Sequence, residues 1–261
     1  MNNLLSTIIE RTKYRIQIRK NKLPLETIQE KIPTLPPSRD FAAVLNDKQN
    51  INLICEVKKA SPSKGLILKD YDPVKITKIY EEAGAKAISV LTESDFFLGS
   101  LNDLKDVKNA VTIPVLRKDF IIDDYQLYES RYFGADCVLL IARILEKEQL
   151  RKFIELSRRL NLHCLVEVHT KNELKKALEC EAEIIGINNR NLDSLNVNIK
   201  TSISLFSLVP SQKKVISESG IKGKKEIDIL RNSGINSFLI GESLLTSPNI
   251  KDKIKELSGN T

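Results

Sequence analysis

The chain has no tryptophan, and aromatic residues make up only 5% of its 261 positions. Proteins that grip single-stranded nucleic acid stack bases on aromatic rings set among basic side chains. Here 41 Lys and Arg residues are dispersed among 34 Asp and Glu, so the net charge of +7 describes a lysine-rich solvated surface. No nucleic-acid partner is expected, although a modest positive field favours a small anionic substrate. Histidine is scarce, at two residues (His163 and His169), and the four cysteines, Cys55, Cys137, Cys164 and Cys180, lack C-x-x-C spacing. A structural zinc site is therefore not expected. Three of the cysteines fall in apolar runs, where a thiol behaves as a small hydrophobe. The longest unbroken apolar stretch, Cys137 to Ala142, is far shorter than the roughly 20 residues a membrane-spanning helix needs. The first residues, MNNLLSTIIERTKYR, interrupt their apolar positions with Ser, Thr, Glu and Arg, unlike a secretory segment. A cytoplasmic protein with no membrane partner is the expectation.

What is present is 41% hydrophobic content in a regular alternation. The first fifty residues read as helical. Leu4, Leu5, Ile8 and Ile9 share a helix face, a second piece spans about 24–32, and Ser38 is expected to cap a third through Phe41, Val44 and Leu45. From Ile51 onward short apolar runs occupy 51–57, 87–92, 113–116, 137–141, 163–168, 183–187, 214–217 and 237–240, each followed by an amphipathic stretch. Continuous apolar strands with helical crossovers imply a parallel sheet covered on both faces. Eight strand–helix units without a G-x-G-x-x-G string point to a closed (β/α)8 TIM barrel rather than an open dinucleotide-binding sheet. The expected organisation is one domain over 1–261, with residues 1–48 a helical extension and 49–261 the barrel.

Active residues of such barrels gather at the C-terminal ends of the strands. Strand one ends in Glu56 and Lys58, which share a face and bring a carboxylate and an ammonium to the end of a buried run. A strand-end salt bridge is one reading of that pair, and a working site is the other. The remaining ends favour the second. Strand two runs into Glu93-Ser94-Asp95-Phe96-Phe97, strand three into Arg117-Lys118-Asp119-Phe120, and strand five into Glu167-Val168-His169. Strand six leads to Asn188-Asn189-Arg190, strand seven to Glu218-Ser219-Gly220, and strand eight to Gly241-Glu242-Ser243. The opposite ends are plainer. Gly220 and Gly241 follow strands seven and eight directly, where backbone N–H groups at glycine turns and helix starts can bind phosphate.

The strings ICEVKKASPSKG (54–65), LTESDFFLGS (91–100), PVLRKDF (114–120), DCVLLIARIL (136–145), LVEVH (165–169), GINNRNL (186–192), SESGI (217–221) and LIGESLL (239–245) together resemble the indole-3-glycerol-phosphate synthase family. They occur in the family's order and cover the barrel. Leu245 departs from the more frequent Met, a packing change. The resemblance implies ring closure of 1-(2-carboxyphenylamino)-1-deoxyribulose 5-phosphate to indole-3-glycerol phosphate, carbon dioxide and water, in tryptophan biosynthesis, with no cofactor or metal. It implies Lys118 as general acid at the ketone and Glu167 as base or cation stabiliser. Glu56 holds the charge balance, and Asn188 and Ser219 complete the catalytic set. Lys58 binds phosphate and shares proton transfer with Lys118, in a division left open. Phe97 and Phe120 wall the aromatic ring. Ser61, Ser219, Gly220, Gly241 and Glu242 line the phosphate end, Glu242 through its backbone N–H. Arg190 and Glu218 stand near the substrate or form an ion pair behind it.

The resemblance gives His169 no catalytic role; His163 falls at a strand start, the structural end of the barrel, and Arg143 after strand four is either a loop residue or near the substrate. Partners are limited to the phosphorylated substrate and transient contacts with other enzymes of the pathway. An aldolase-type barrel with Lys118 as a Schiff base and a non-catalytic binding barrel are the competing readings.

Overall fold

A computed structural model describes residues 3–192 and 194–259. Eight parallel strands close into a barrel: β1 (Asn52–Val57), β2 (Ala87–Leu91), β3 (Val115–Lys118), β4 (Cys137–Ile141), β5 (His163–Val168), β6 (Ile184–Asn188), β7 (Lys214–Glu218) and β8 (Ser237–Ile240). Each strand pairs with its sequence neighbours, and β1 closes the ring against β8. The strands are buried on both faces because helices cover the outside while Ile54, Ala87, Leu116, Leu139, Leu165, Ile184 and Ile216 fill the inside. Helices α3 (Pro73–Glu82), α4 (Leu101–Ala110), α5 (Tyr125–Tyr132), α6 (Lys147–Arg159), α7 (Lys171–Glu179), α8 (Lys200–Phe206) and α9 (Lys224–Asn232) follow strands β1 to β7. After β8 come the single-turn α10 (Glu242–Leu245) and α11 (Ile250–Ser258). Short polar side chains start several of them: Asp72, Ser100, Thr170 and Asn249 each accept a first-turn backbone N–H.

β3 extends two residues beyond the apolar run, to Lys118. Arg117 looks like a strand terminator in sequence, yet its side chain is fully buried between the barrel and α5. It donates to Asp119 (2.9 Å), Ser130 (3.0 Å) and the Gln126 carbonyl (3.1 Å) and pairs with Glu129 at 3.0 Å. A buried charge is sustained only by such pairing.

The N-terminal segment serves both ends of the barrel. α1 (Asn3–Lys22) lies across the mouth and then descends beside α5, tied by Arg15 to Asp95, by Arg19 to Glu129 at 2.8 Å and by Lys20 to Asp123 at 2.8 Å. α2 (Leu25–Lys31) buries Ile28 with Ile16 and Tyr125. Residues 39–48 then cross under the strand starts. Phe41 and Leu45 join the buried cluster inside the barrel. The Arg39 N–H donates to Asp136 (2.7 Å), Asp40 meets His163 at 3.2 Å, and Asn236 donates to the Lys48 carbonyl (2.8 Å). The last ten residues of the extension thus plug the end opposite the mouth. The Ser38 cap is corrected. The third piece is one 3-10 turn (Ala43–Leu45) whose first N–H goes to Asp40 at 2.9 Å, while the buried Ser38 hydroxyl lacks a partner.

Candidate active site

Adjacent strand residues face opposite ways, so a buried outward Arg117 directs Lys118 into the barrel mouth. There Lys118 Nζ stands 3.3 Å from Glu167 Oε2 and 3.5 Å from Glu218 Oε2. Lys58 Nζ is 2.5 Å from Glu56 Oε1. The cluster therefore contains three carboxylates and two ammonium groups, all largely shielded from water. Two glycines make the room. A Cβ at Gly241 would fall 2.6 Å from Glu56 Oε1, and one at Gly186 would overlap Glu218 Oε1. Gly241, expected to admit phosphate, thus also makes space for Glu56. Gly186 opens the GINNRNL string, which by itself does not tell that the glycine makes room for Glu218.

Burial and neighbours pull these groups apart. Burial would lower the Lys118 ammonium, but Glu167, Glu218 and Glu56 more than reverse this and raise it. Burial raises a carboxyl, yet Lys118 and then His169 hold Glu167 below the usual range, and Lys58 with Lys118 do the same for Glu56. Glu218 goes the other way: burial, with Glu167 and Glu56 adding to it against Lys118, pushes it up to about 8. Neighbouring carboxylates with opposite shifts can divide base and acid roles.

The mouth has two lobes that meet at this cluster. One runs beneath α1 and is lined by Leu4, Leu5, Ile8, Phe97, Phe120 and Leu192, with Glu167 and Asn188 at its floor. Phe97 and Phe120 lie 6.4 Å apart, tilted by 41°. The Phe97 loop is held by Glu93, which accepts the N–H groups of Asp95 (2.9 Å), Phe96 (2.7 Å) and Phe97 (3.1 Å). The other lobe is polar and opens over Lys64, Ser219, Gly220, Lys222, Gly241 and Glu242. Glu56, Lys58, Lys118, Arg190, Ser219 and Glu242 line both. Ser219 (φ 67°) and Gly220 (φ 82°) are consecutive left-handed residues, a turn that presents successive N–H groups. Asn189 fixes it by donating to the Ser219 carbonyl and to Ser217 Oγ, both at 3.0 Å.

Every residue expected at the site lies on one of the two lobes: Glu218, Gly220 and Gly241 on the polar one, Ser61, Phe97, Phe120, Glu167 and Asn188 on the apolar one, the rest on both. Glu242 contributes its side chain as well, 3.4 Å from Lys64 and 4.0 Å from Arg190. His169 lies outside both lobes, and His163 sits at the far end. Sequence reasoning missed Asn189, Arg117 and Asp119 as supports, although each stands beside a residue it named. Among the described residues, no group of three or more His, Cys, Asp or Glu is arranged to hold a metal ion.

A family model described as indole-3-glycerol phosphate synthase matches residues 5–257. The chain belongs to that family. Curated relatives named indole-3-glycerol phosphate synthase include those of Endomicrobium trichonymphae, 48% identical over 97% of this chain and 99% of the relative, and Lachnoclostridium phytofermentans, 46% identical over 97% and 98%. The relative from Legionella pneumophila is 44% identical over 98% of this chain and 99% of its own. Synthases of this family are carboxy-lyases of tryptophan biosynthesis. Solved structures share the fold at low identity. A thiamine phosphate pyrophosphorylase from Pyrococcus furiosus has a TM-score of 0.62 at 15% identity, covering 81% of this chain and 96% of its own. A 3-hexulose-6-phosphate synthase from Salmonella typhimurium has 0.64 at 13%, covering 80% and 97%. No helix among the described residues is long and apolar enough to cross a membrane.

Proposed function

We propose that the two-lobed mouth binds 1-(2-carboxyphenylamino)-1-deoxyribulose 5-phosphate with its ring under α1 and its phosphate at the Ser219–Gly220 and Gly241–Glu242 turns. The observation that carries this reading is the placement of the charged cluster where an apolar and a polar lobe meet. A substrate with an aromatic ring at one end and a phosphate at the other puts its ketone between them.

Lys118 donates a proton to the ketone oxygen as the aromatic carbon bearing the carboxylate attacks the ketone carbon. A carbon–carbon bond and a hydroxyl form, and the ring system becomes cationic. Ionised Glu167 and Glu56 stabilise that charge in a setting of low dielectric, where fixed charges act strongly. Carbon dioxide leaves without its bonding electrons, which restore the neutral ring. The hydroxyl then departs as water with a proton from Lys58 or Lys118, while Glu167 accepts the proton lost from the adjacent carbon. Counting a substrate carboxylate, two protons enter and one is returned, so each turnover takes up one proton. Asn188 orients the substrate, Arg190 and Lys58 reach toward the phosphate, Ser61 contributes a hydroxyl there, and Phe97 and Phe120 hold the ring.

The whole chain works as one unit in the cytoplasm, with other enzymes of the pathway as transient partners. Purified protein given the carboxyphenylamino substrate in EDTA should generate the indole product's fluorescence with stoichiometric carbon dioxide. Absence of both would overturn the proposal. Borohydride trapping of a substrate adduct on Lys118 would favour the Schiff-base reading instead.

A further inference from the structure

The His169 side chain is largely buried, and no step above uses it. Its side chain is 6% exposed and lines neither substrate lobe. Nε2 lies 3.5 Å from Glu167 Oε1, while Lys118 engages the other oxygen, Oε2, at 3.3 Å. On the far side of the ring, Nδ1 is 3.2 Å from Glu173 Oε2. That same oxygen accepts the His169 backbone N–H at 2.7 Å. Glu173 stands in the first turn of α7, its own N–H capped by Thr170 at 3.2 Å. The imidazole is therefore anchored at one nitrogen by a helix-borne carboxylate and aimed with the other at the carboxylate proposed as base. His169 Nε2 makes no hydrogen bond; this buried polar atom faces Glu167 Oε1 at 3.5 Å.

We propose that His169 is a positioning residue for Glu167: held by Glu173, its ring fixes the orientation of the Glu167 carboxylate. The proposal rests on the reading of Glu167 given above. A carboxylate whose two oxygens must serve different partners needs such a support behind it to hold its angle. The charged groups around the ring are Glu167 on β5, Glu173 on α7 and Arg143 after β4, which acts on Glu173; Lys118, Glu56 and Glu218 lie beyond Glu167. Removing the ring withdraws a stabilising partner from Glu167, so its carboxyl should take up a proton at higher pH.

The test is a set of kcat–pH profiles with KM and Tm for wild type, H169F, H169Q, E173Q, E167Q and the E167Q/H169F double variant. H169F should lower kcat on the order of 10–100-fold through misplacement of the base, with KM nearly unchanged. Its acid limb should move up by about one pH unit. H169Q, which keeps an N–H at a similar reach, should recover most of kcat. E173Q leaves the ring in place and should give a smaller loss of the same kind, which decides the matter if H169F fails to fold. In the E167Q background H169F should cost little more, since both act on one group. A folded H169F or E173Q with wild-type kcat and acid limb, whatever its Tm, overturns the proposal. Wild-type turnover in E167Q would instead remove the reading of Glu167 on which it stands.

Discussion

Both ends of the barrel bury charge, and they do so in opposite ways. At the plugged end Asp136 is fully enclosed, and its two oxygens take four hydrogen bonds: two from Lys108 Nζ (2.6 and 2.7 Å), one from the Arg39 N–H (2.7 Å) and one from the Val115 N–H (2.8 Å). At the open end Glu218 is equally enclosed, but neither of its oxygens accepts a hydrogen bond, Lys118 Nζ standing 3.5 Å away. A buried carboxylate with every lone pair occupied holds strands together. One left short of partners is costly to the fold and retains capacity for a ligand. The difference separates a structural end from a working end.

The contrast breaks most visibly at Lys118. Lys118→Ala should remove roughly 10²–10⁴-fold of kcat, the usual range for a positioned general acid, without loss of the folded state. Rapid turnover by a folded variant would remove Lys118 from the mechanism. At the other end Asp136→Ala should destabilise the protein by roughly 3–5 kcal/mol, because half-buried Lys108 and the Arg39 and Val115 N–H groups all lose their partner. The fraction that folds should keep its kcat/KM, so chemical denaturation and the activity of folded protein together distinguish the ends. Phe41→Ala should behave alike, costing roughly 3–5 kcal/mol for an emptied aromatic site. Ile8→Ala, in α1 over the mouth, should chiefly raise KM, by an amount on the order of 1 kcal/mol for the smaller apolar surface it offers the substrate. A KM effect from Phe41→Ala, or none from Ile8→Ala, would blur the division.

Much of this was legible in the chain because parallel strands read as apolar runs and the barrel collects their C-terminal residues. β4, β5 and β8 have the expected limits. β3 outlasts its apolar run because Arg117 is a charged residue buried by partners farther along the chain, which periodicity cannot reveal. The strings carrying Lys118, Glu167 and Glu218 located the cluster, yet they were silent on what makes room for it at Gly186 and Gly241. The path of residues 39–48 was illegible for a similar reason. Phe41 and Leu45 announce a face to bury, but only the folded barrel shows that the open strand starts are what they cover.

Glu218 bears most directly on the claim that the mouth sacrifices stability for chemistry. Glu218 is raised from 4.5 to about 8 in the folded protein. A carboxyl raised on folding contributes stability that is complete below its unfolded value and lost as pH rises through its folded one. Equilibrium unfolding of wild type and Glu218→Gln at pH 5 and pH 9, with turnover measured alongside, isolates this contribution. The variant should gain on wild type between pH 5 and pH 9 and be the more stable at pH 9, while turning over more slowly. A variant less stable than wild type at pH 9, as expected of a fully satisfied structural carboxylate, would contradict the distinction between the two ends.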